Sequence, residues 1–132
     1  MKIAAISDDG ISISPHFGRA PYYVVVTVEG GQMVESEVRP KAGHHLFAAQ
    51  GHPHLAPGER HGYDAASQAK HRLMAETISD CEVLIAGGMG WGAYESLKAS
   101  GIRPIITDLT DIREAVLRLL GGDLPDLMER LH

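Results

Sequence analysis

The period of apolar positions changes several times along the chain, and each change predicts an element. Lys2–Ser7 encloses a short apolar run and reads as a buried strand. Tyr22–Glu29 is rich in β-branched and aromatic residues, Gly30-Gly31 follows, and Gln32–Arg39 alternates polar and apolar side chains. These segments predict a β-hairpin with a two-residue turn and one half-exposed strand. From Pro40 to Gly62 the pattern dissolves. Gly43, Gly51, Pro53, Pro57, Gly58 and Gly62 recur without a sustained period, although His44–Gln50 has room for one or two helical turns. A connection of that length inside a compact domain is usually functional or mobile.

Asp64 is placed to cap a helix running to about Ser79, with Ala66, Ala69, Leu73 and Ile78 on one face. Glu82–Ala86 is a fourth strand, and Gly87-Gly88-Met89-Gly90 leads into a helix that ends at Gly101. Arg103–Thr107 is a fifth strand. The next helix starts at Thr110 or Asp111, where Asp111 and Glu114 have capping-box spacing. Ile112, Ala115, Val116, Leu119 and Leu120 form its apolar face, and Gly121 closes it. Leu124, Leu127, Met128 and Leu131 predict a last short amphipathic helix. Parallel strands with right-handed crossovers fit the second half, and the hairpin adds an antiparallel pair. The expected fold is a single α/β domain over residues 1–132, with a mixed five-stranded sheet and helices on both faces.

Composition narrows the function. The 132 residues carry 12 Lys+Arg against 17 Asp+Glu, a net charge of −5. Without a basic cluster, nucleic acid is a poor partner, because phosphate contacts dominate that affinity. No apolar run approaches a membrane span, and Met1–Ser7 lacks a signal-peptide pattern, so the expected location is cytoplasmic. The one cysteine, Cys81, excludes an internal disulfide and a cysteine-rich metal cradle. Against it stand eight histidines, six of which (His44, His45, His52, His54, His61, His71) fall between positions 44 and 71.

Four places can carry chemistry. The 87–90 turn joins a strand to a helix, where free N–H groups and the helix dipole attract anions; the plainer reading is a tight turn that allows close packing. Gly88, Gly90 and Ala93 also fit a dinucleotide fingerprint with Asp108 after the next strand, but the chain then ends too soon for the second half of such a fold. In the loop Ser14-Pro15-His16-Phe17-Gly18-Arg19-Ala20-Pro21, His16 can ligate a metal and Arg19 can neutralise an anion, or both can be ordinary surface residues. His44-His45, His52-Pro53-His54 and His61 can converge on a transition metal or simply be solvated. Cys81 can offer a thiolate or act as a small hydrophobe. Asp8, Asp9, Asp64 and Asp108 invite comparison with an acidic metal quartet, but only their strand-end positions favour it. Neither a nucleophile elbow nor a P-loop lysine is present, which points away from an enzyme.

The run Ser-Pro-His-Phe-Gly-Arg-Ala-Pro-Tyr at 14–22 resembles the signature of the dinitrogenase iron–molybdenum cofactor biosynthesis family. So do His61-Gly62, the stretch Asp80-Cys81-Glu82-Val83-Leu84-Ile85-Ala86-Gly87-Gly88-Met89-Gly90, Ala99-Ser100-Gly101-Ile102 and Leu119-Leu120-Gly121-Gly122-Asp123-Leu124. The resemblance implies a ribonuclease H-like three-layer fold that is not a nuclease. It also implies non-enzymatic, non-covalent carriage of an anionic iron–sulfur or molybdenum–iron–sulfur cluster or its precursor, in nitrogenase cofactor biosynthesis or a related pathway. Cluster-assembly or cluster-receiving proteins are the partners it implies. The matching site positions are His16, Arg19, Gly87, Gly88, Met89 and Gly90, with His16, His44, His45 and His61 as candidate metal ligands. A pre-assembled cluster brings its own sulfide, so one or two imidazoles suffice. Two other readings stay open: a small-molecule or nucleotide-binding regulatory module on Gly87–Gly90, and metal sequestration by the histidine loop. The sequence leaves the identity of the cluster and the oligomeric state open.

Overall fold

The N-terminal apolar run becomes β1 (Lys2–Ser7), the central strand of a mixed five-stranded sheet. The computed structural model describes residues 1–41 and 73–131. β2 (Tyr22–Glu29) and β3 (Gln32–Pro40) lie on one side of β1, and β4 (Val83–Ala86) and β5 (Arg103–Ile106) on the other, in the order β3-β2-β1-β4-β5. β1, β4 and β5 are parallel, whereas β2 runs antiparallel to both β1 and β3. Gly30 and Gly31 turn the chain between β2 and β3 with φ of +60° and +79°, the left-handed pair that a two-residue hairpin turn requires.

Side chains alternate across the sheet, and each face meets its own cover. Ala4, Ile6, Leu84, Ala86 and Ile106 pack against Met74 and Ala75 of α1 (residues 73–77) and against Ala93 and Leu97 of α2 (Trp91–Ala99). Ile3, Ala5, Val83, Ile85 and Ile105 pack against Ile112, Ala115 and Val116 of α3 (Ile112–Gly121). The sheet is therefore the middle of three layers. β3 forms the edge beyond this cover, and it is exposed along most of its length rather than half-exposed. Among the described residues, no helix is long and apolar enough to cross a membrane.

Element ends depart from expectation for local reasons. The start of the helix predicted from Asp64, and the loop beyond Lys41, lie outside the described residues. Asp111 caps α3 as expected, with Oδ1 accepting the Glu114 N–H at 3.1 Å, but the Glu114 carboxylate pairs with Arg118 at 3.3 Å. Gly122, not Gly121, takes the left-handed φ of +79° that closes α3. The predicted terminal helix shrinks to a 3₁₀ turn at Met128–Arg130. Its residues instead run as a strap beside β5. The Leu127 N–H donates to the Ile106 carbonyl at 2.8 Å, the Ile106 N–H donates to Asp126 Oδ1 at 2.9 Å, and Leu127 and Leu131 pack on the core.

Candidate functional site

Beyond β1 the chain turns on Asp9, whose Oδ1 accepts the N–H groups of Ile11 at 2.8 Å and Ser12 at 2.7 Å. Those backbone donors hold the carboxyl down to about 2. The Ser14 N–H then donates to the Ile6 carbonyl at 2.8 Å, and the loop coils once. Ser14 Oγ accepts the His16 N–H at 3.1 Å, and the His16 carbonyl accepts from Arg19 N–H at 3.2 Å and Ala20 N–H at 3.1 Å. Phe17 and Ala20, three residues apart, fall on the inner side of that coil and are buried. The same spacing turns His16, Gly18 and Arg19 outward, and all three are exposed.

The 87–90 turn leaves the carboxyl end of β4, next to β1, and is stitched to this loop. The Gly87 N–H donates to the Ser14 carbonyl at 2.9 Å, and the Phe17 N–H donates to the Gly88 carbonyl at 3.1 Å. A Cβ on Gly87 would lie 2.7 Å from Pro15 Cα and 3.0 Å from the Ser14 oxygen, so only glycine permits the approach. Gly90 then serves as the N-cap of α2 without a side-chain cap, and no acidic residue stands in the first turn. The first N–H groups of α2 therefore have no carboxylate competitor of the kind Asp111 supplies to α3. The combined feature sits outside the carboxyl ends of parallel strands, where open α/β sheets place their ligands.

The structure thus brings the loop that carries His16 and Arg19 together with the turn at the carboxyl end of the interior strands β1 and β4. Met89 is 1% exposed and belongs to the same core cluster as Ala93 and Leu97, so its side chain is not presented at the surface of the turn. His44, His45 and His61, with His52, His54 and His71, lie outside the described residues. Among the described residues, no three His, Cys, Asp or Glu side chains gather to hold a metal ion. Cys81 is a small core residue at the opposite end of β4. Its burial pushes the thiol up to about 12, which suits the hydrophobe reading and not a thiolate ligand. For the acidic quartet, Asp9 is consumed in its own turn. At the 87–88 end of the turn the loop lies directly against the backbone, through the Gly87–Ser14 and Phe17–Gly88 bonds.

Two residues at this end of the sheet escaped the sequence reading. Lys41 is fully buried, and its Nζ donates to the Phe17 carbonyl and lies 4.5 Å from the Phe17 ring centroid. Trp91, the first residue of α2, is 46% exposed and meets Tyr94 edge-on at 5.8 Å. The only signal for Trp91 is its place directly after the glycine turn. For Lys41, a lysine after a strand-ending proline, there is none.

Comparison with known proteins follows the same lines. Solved structures with this fold include PH0822, 24% identical over 96% of this chain and 95% of that one, with a TM-score of 0.65. The apo form of the orange protein from Desulfovibrio gigas is 26% identical, covering 95% of this chain and 91% of that one, with a TM-score of 0.64. The protein mj0327 from Methanocaldococcus jannaschii is 15% identical, covering 96% and 94%, with a TM-score of 0.61. No curated protein matches the sequence. The family model for dinitrogenase iron-molybdenum cofactor proteins matches residues 1–122, and the chain belongs to that family.

Proposed function

We propose that this protein is a non-enzymatic carrier of an anionic iron–sulfur or molybdenum–iron–sulfur cluster or its precursor. It would work in the cytoplasm as one ribonuclease H-like domain. The observation that supports the reading is the mutual hydrogen bonding of the 14–20 loop, which carries the exposed His16 and Arg19, with the glycine turn that leads into α2, a helix without a side-chain cap. Each part has a distinct task. The Arg19 guanidinium offsets cluster charge through several donors, and the backbone N–H groups of α2 add dipolar attraction. The His16 imidazole ligates one exposed metal, while the cargo's own sulfide satisfies the rest. Exposure of both side chains suits a carrier, since a shallow site lets a receiving protein take the cluster directly.

Anaerobic reconstitution with iron, sulfide and molybdate tests this. Visible absorbance should survive desalting in the parent protein and be lost in the His16→Ala/Arg19→Ala double variant. A colourless parent, or equal uptake by both proteins, refutes it.

A further inference from the structure

A fully buried lysine lies directly beneath the exposed part of the loop. β3 ends at Pro40, and the Lys41 N–H donates to the Pro21 carbonyl at 2.9 Å, which brings the chain back under residues 16–20. From there the Lys41 Nζ donates to the carbonyl of Phe17, the residue between His16 and Gly18. The ammonium also lies over the Phe17 ring, 4.5 Å from its centroid, and that ring tilts against Tyr23 at 6.3 Å. Lys41 has at least one further interaction as well. Burying an ammonium is costly unless it is well bonded, and packing alone is served more cheaply by an apolar residue of equal length. The placement needs a reason other than space-filling.

We propose that Lys41 is a positioning residue for anionic cargo. By holding the Phe17 carbonyl from below, it fixes the coil whose outer side carries His16 and Arg19, and it sets a positive charge behind a site that must attract an anion. The backbone bonds from Arg19 and Ala20 accept at the His16 carbonyl, on the adjacent peptide, so the coil they close includes the peptide that Lys41 holds. This rests on the carrier reading for its cargo, but the loop-fixing half stands on geometry alone.

The test compares Lys41→Met, which keeps the apolar stem, and Lys41→Gln, which keeps a donor, with Lys41→Arg, which keeps the charge. Tetrathiomolybdate, a coloured metal–sulfur dianion, serves as the probe, and urea unfolding checks each fold. Lys41→Met and Lys41→Gln should bind the probe about tenfold more weakly, with a shallower salt dependence, and Lys41→Arg should recover most of the affinity. Amide exchange at Arg19 and Ala20 should quicken about tenfold in Lys41→Met, which has no donor for the Phe17 carbonyl, and less in Lys41→Gln. Unchanged affinity in a folded neutral variant overturns the charge role, and unchanged exchange overturns the positioning role. If the parent itself does not bind the probe, the carrier reading fails, and exchange still decides whether Lys41 fixes the loop. If Lys41→Met does not fold, the Gln and Arg pair carries the same comparison.

Discussion

Gly87→Ala is the sharpest perturbation of the site, because it adds one methyl group where two backbone segments meet. Ordinary contact begins near 3.4 Å, and the new Cβ would stand 2.7 Å from Pro15 Cα. Pro15 must therefore retreat by about 0.7 Å, which would stretch the 2.9 Å bond from Gly87 N–H to the Ser14 carbonyl beyond useful hydrogen-bond length. Its neighbours are backbone on both sides, so no flexible side chain can swing aside. Overpacking of this kind costs about 1–3 kcal/mol, and losing one backbone hydrogen bond adds about 1 kcal/mol. The expected loss is about 2–4 kcal/mol, or on the order of 10 °C in Tm for a chain of this size. Gly18→Ala is the matched control: it lies in the same loop, but nothing stands within 4 Å of its added Cβ. That variant should stay within about 0.5 kcal/mol of the parent. Urea unfolding followed by circular dichroism measures both. A Gly87→Ala protein as stable as Gly18→Ala would show that the loop and the turn are not locked together, and the site would lose its rigid frame.

Other expectations follow from single contacts. Asp111→Ala removes the side-chain cap of α3 and should cost about 1 kcal/mol in urea unfolding. Tyr23→Phe removes the buried donor that reaches the Met74 carbonyl at 2.9 Å and should cost about 1–2 kcal/mol by the same measurement. The hydrogen bond from Arg39 holds the Asp80 carboxyl well below the usual range, so its contribution to stability is full above an ordinary value of about 3.9 and fades as the pH falls through the lowered one. Asp80→Asn should therefore cost about 0.5–1 kcal/mol at pH 7, an exposed-pair magnitude, and the gap to the parent should close only below about pH 4. Iodoacetamide at pH 8 should leave Cys81 unmodified in the folded protein and alkylate it once urea unfolds the chain, because burial pushes the thiol up to about 12.

The fold was legible where one local rule had one structural outcome. Two successive glycines between an aromatic, β-branched run and an alternating one can hardly be anything but a tight hairpin turn, and both take positive φ. The α3 stripe from Ile112 to Leu120 could be read for the same reason, since its period and its Asp111 cap agree. Legibility failed where the same pattern serves two structures. Leu124, Leu127, Met128 and Leu131 have helical spacing, yet Leu127 and Leu131 reach the core equally well from a strap bonded to β5. Only the free edge of β5, which belongs to another part of the chain, decides between them. The choice of Gly122 over Gly121 as the left-handed residue has the same character, because either glycine can adopt it.

The site divides along the same line. His16 and Arg19 stood out because their motif is contiguous, and the coil that turns them outward is made by bonds within seven residues, from Ser14 to Ala20. Gly87 could be read as a turn residue that allows close packing, but its partner could not, since the atom it must admit belongs to Pro15, far away in sequence. No local signal in the glycine-rich turn shows that its one large side chain, Met89, is drawn into the core. Lys41 marks the limit. A lysine is a surface residue by every local rule, yet Lys41 is buried, with its ammonium on the Phe17 carbonyl and over the Phe17 ring. In a chain of net charge −5, a local concentration of positive charge can thus be hidden from the sequence by being placed under a loop instead of on it.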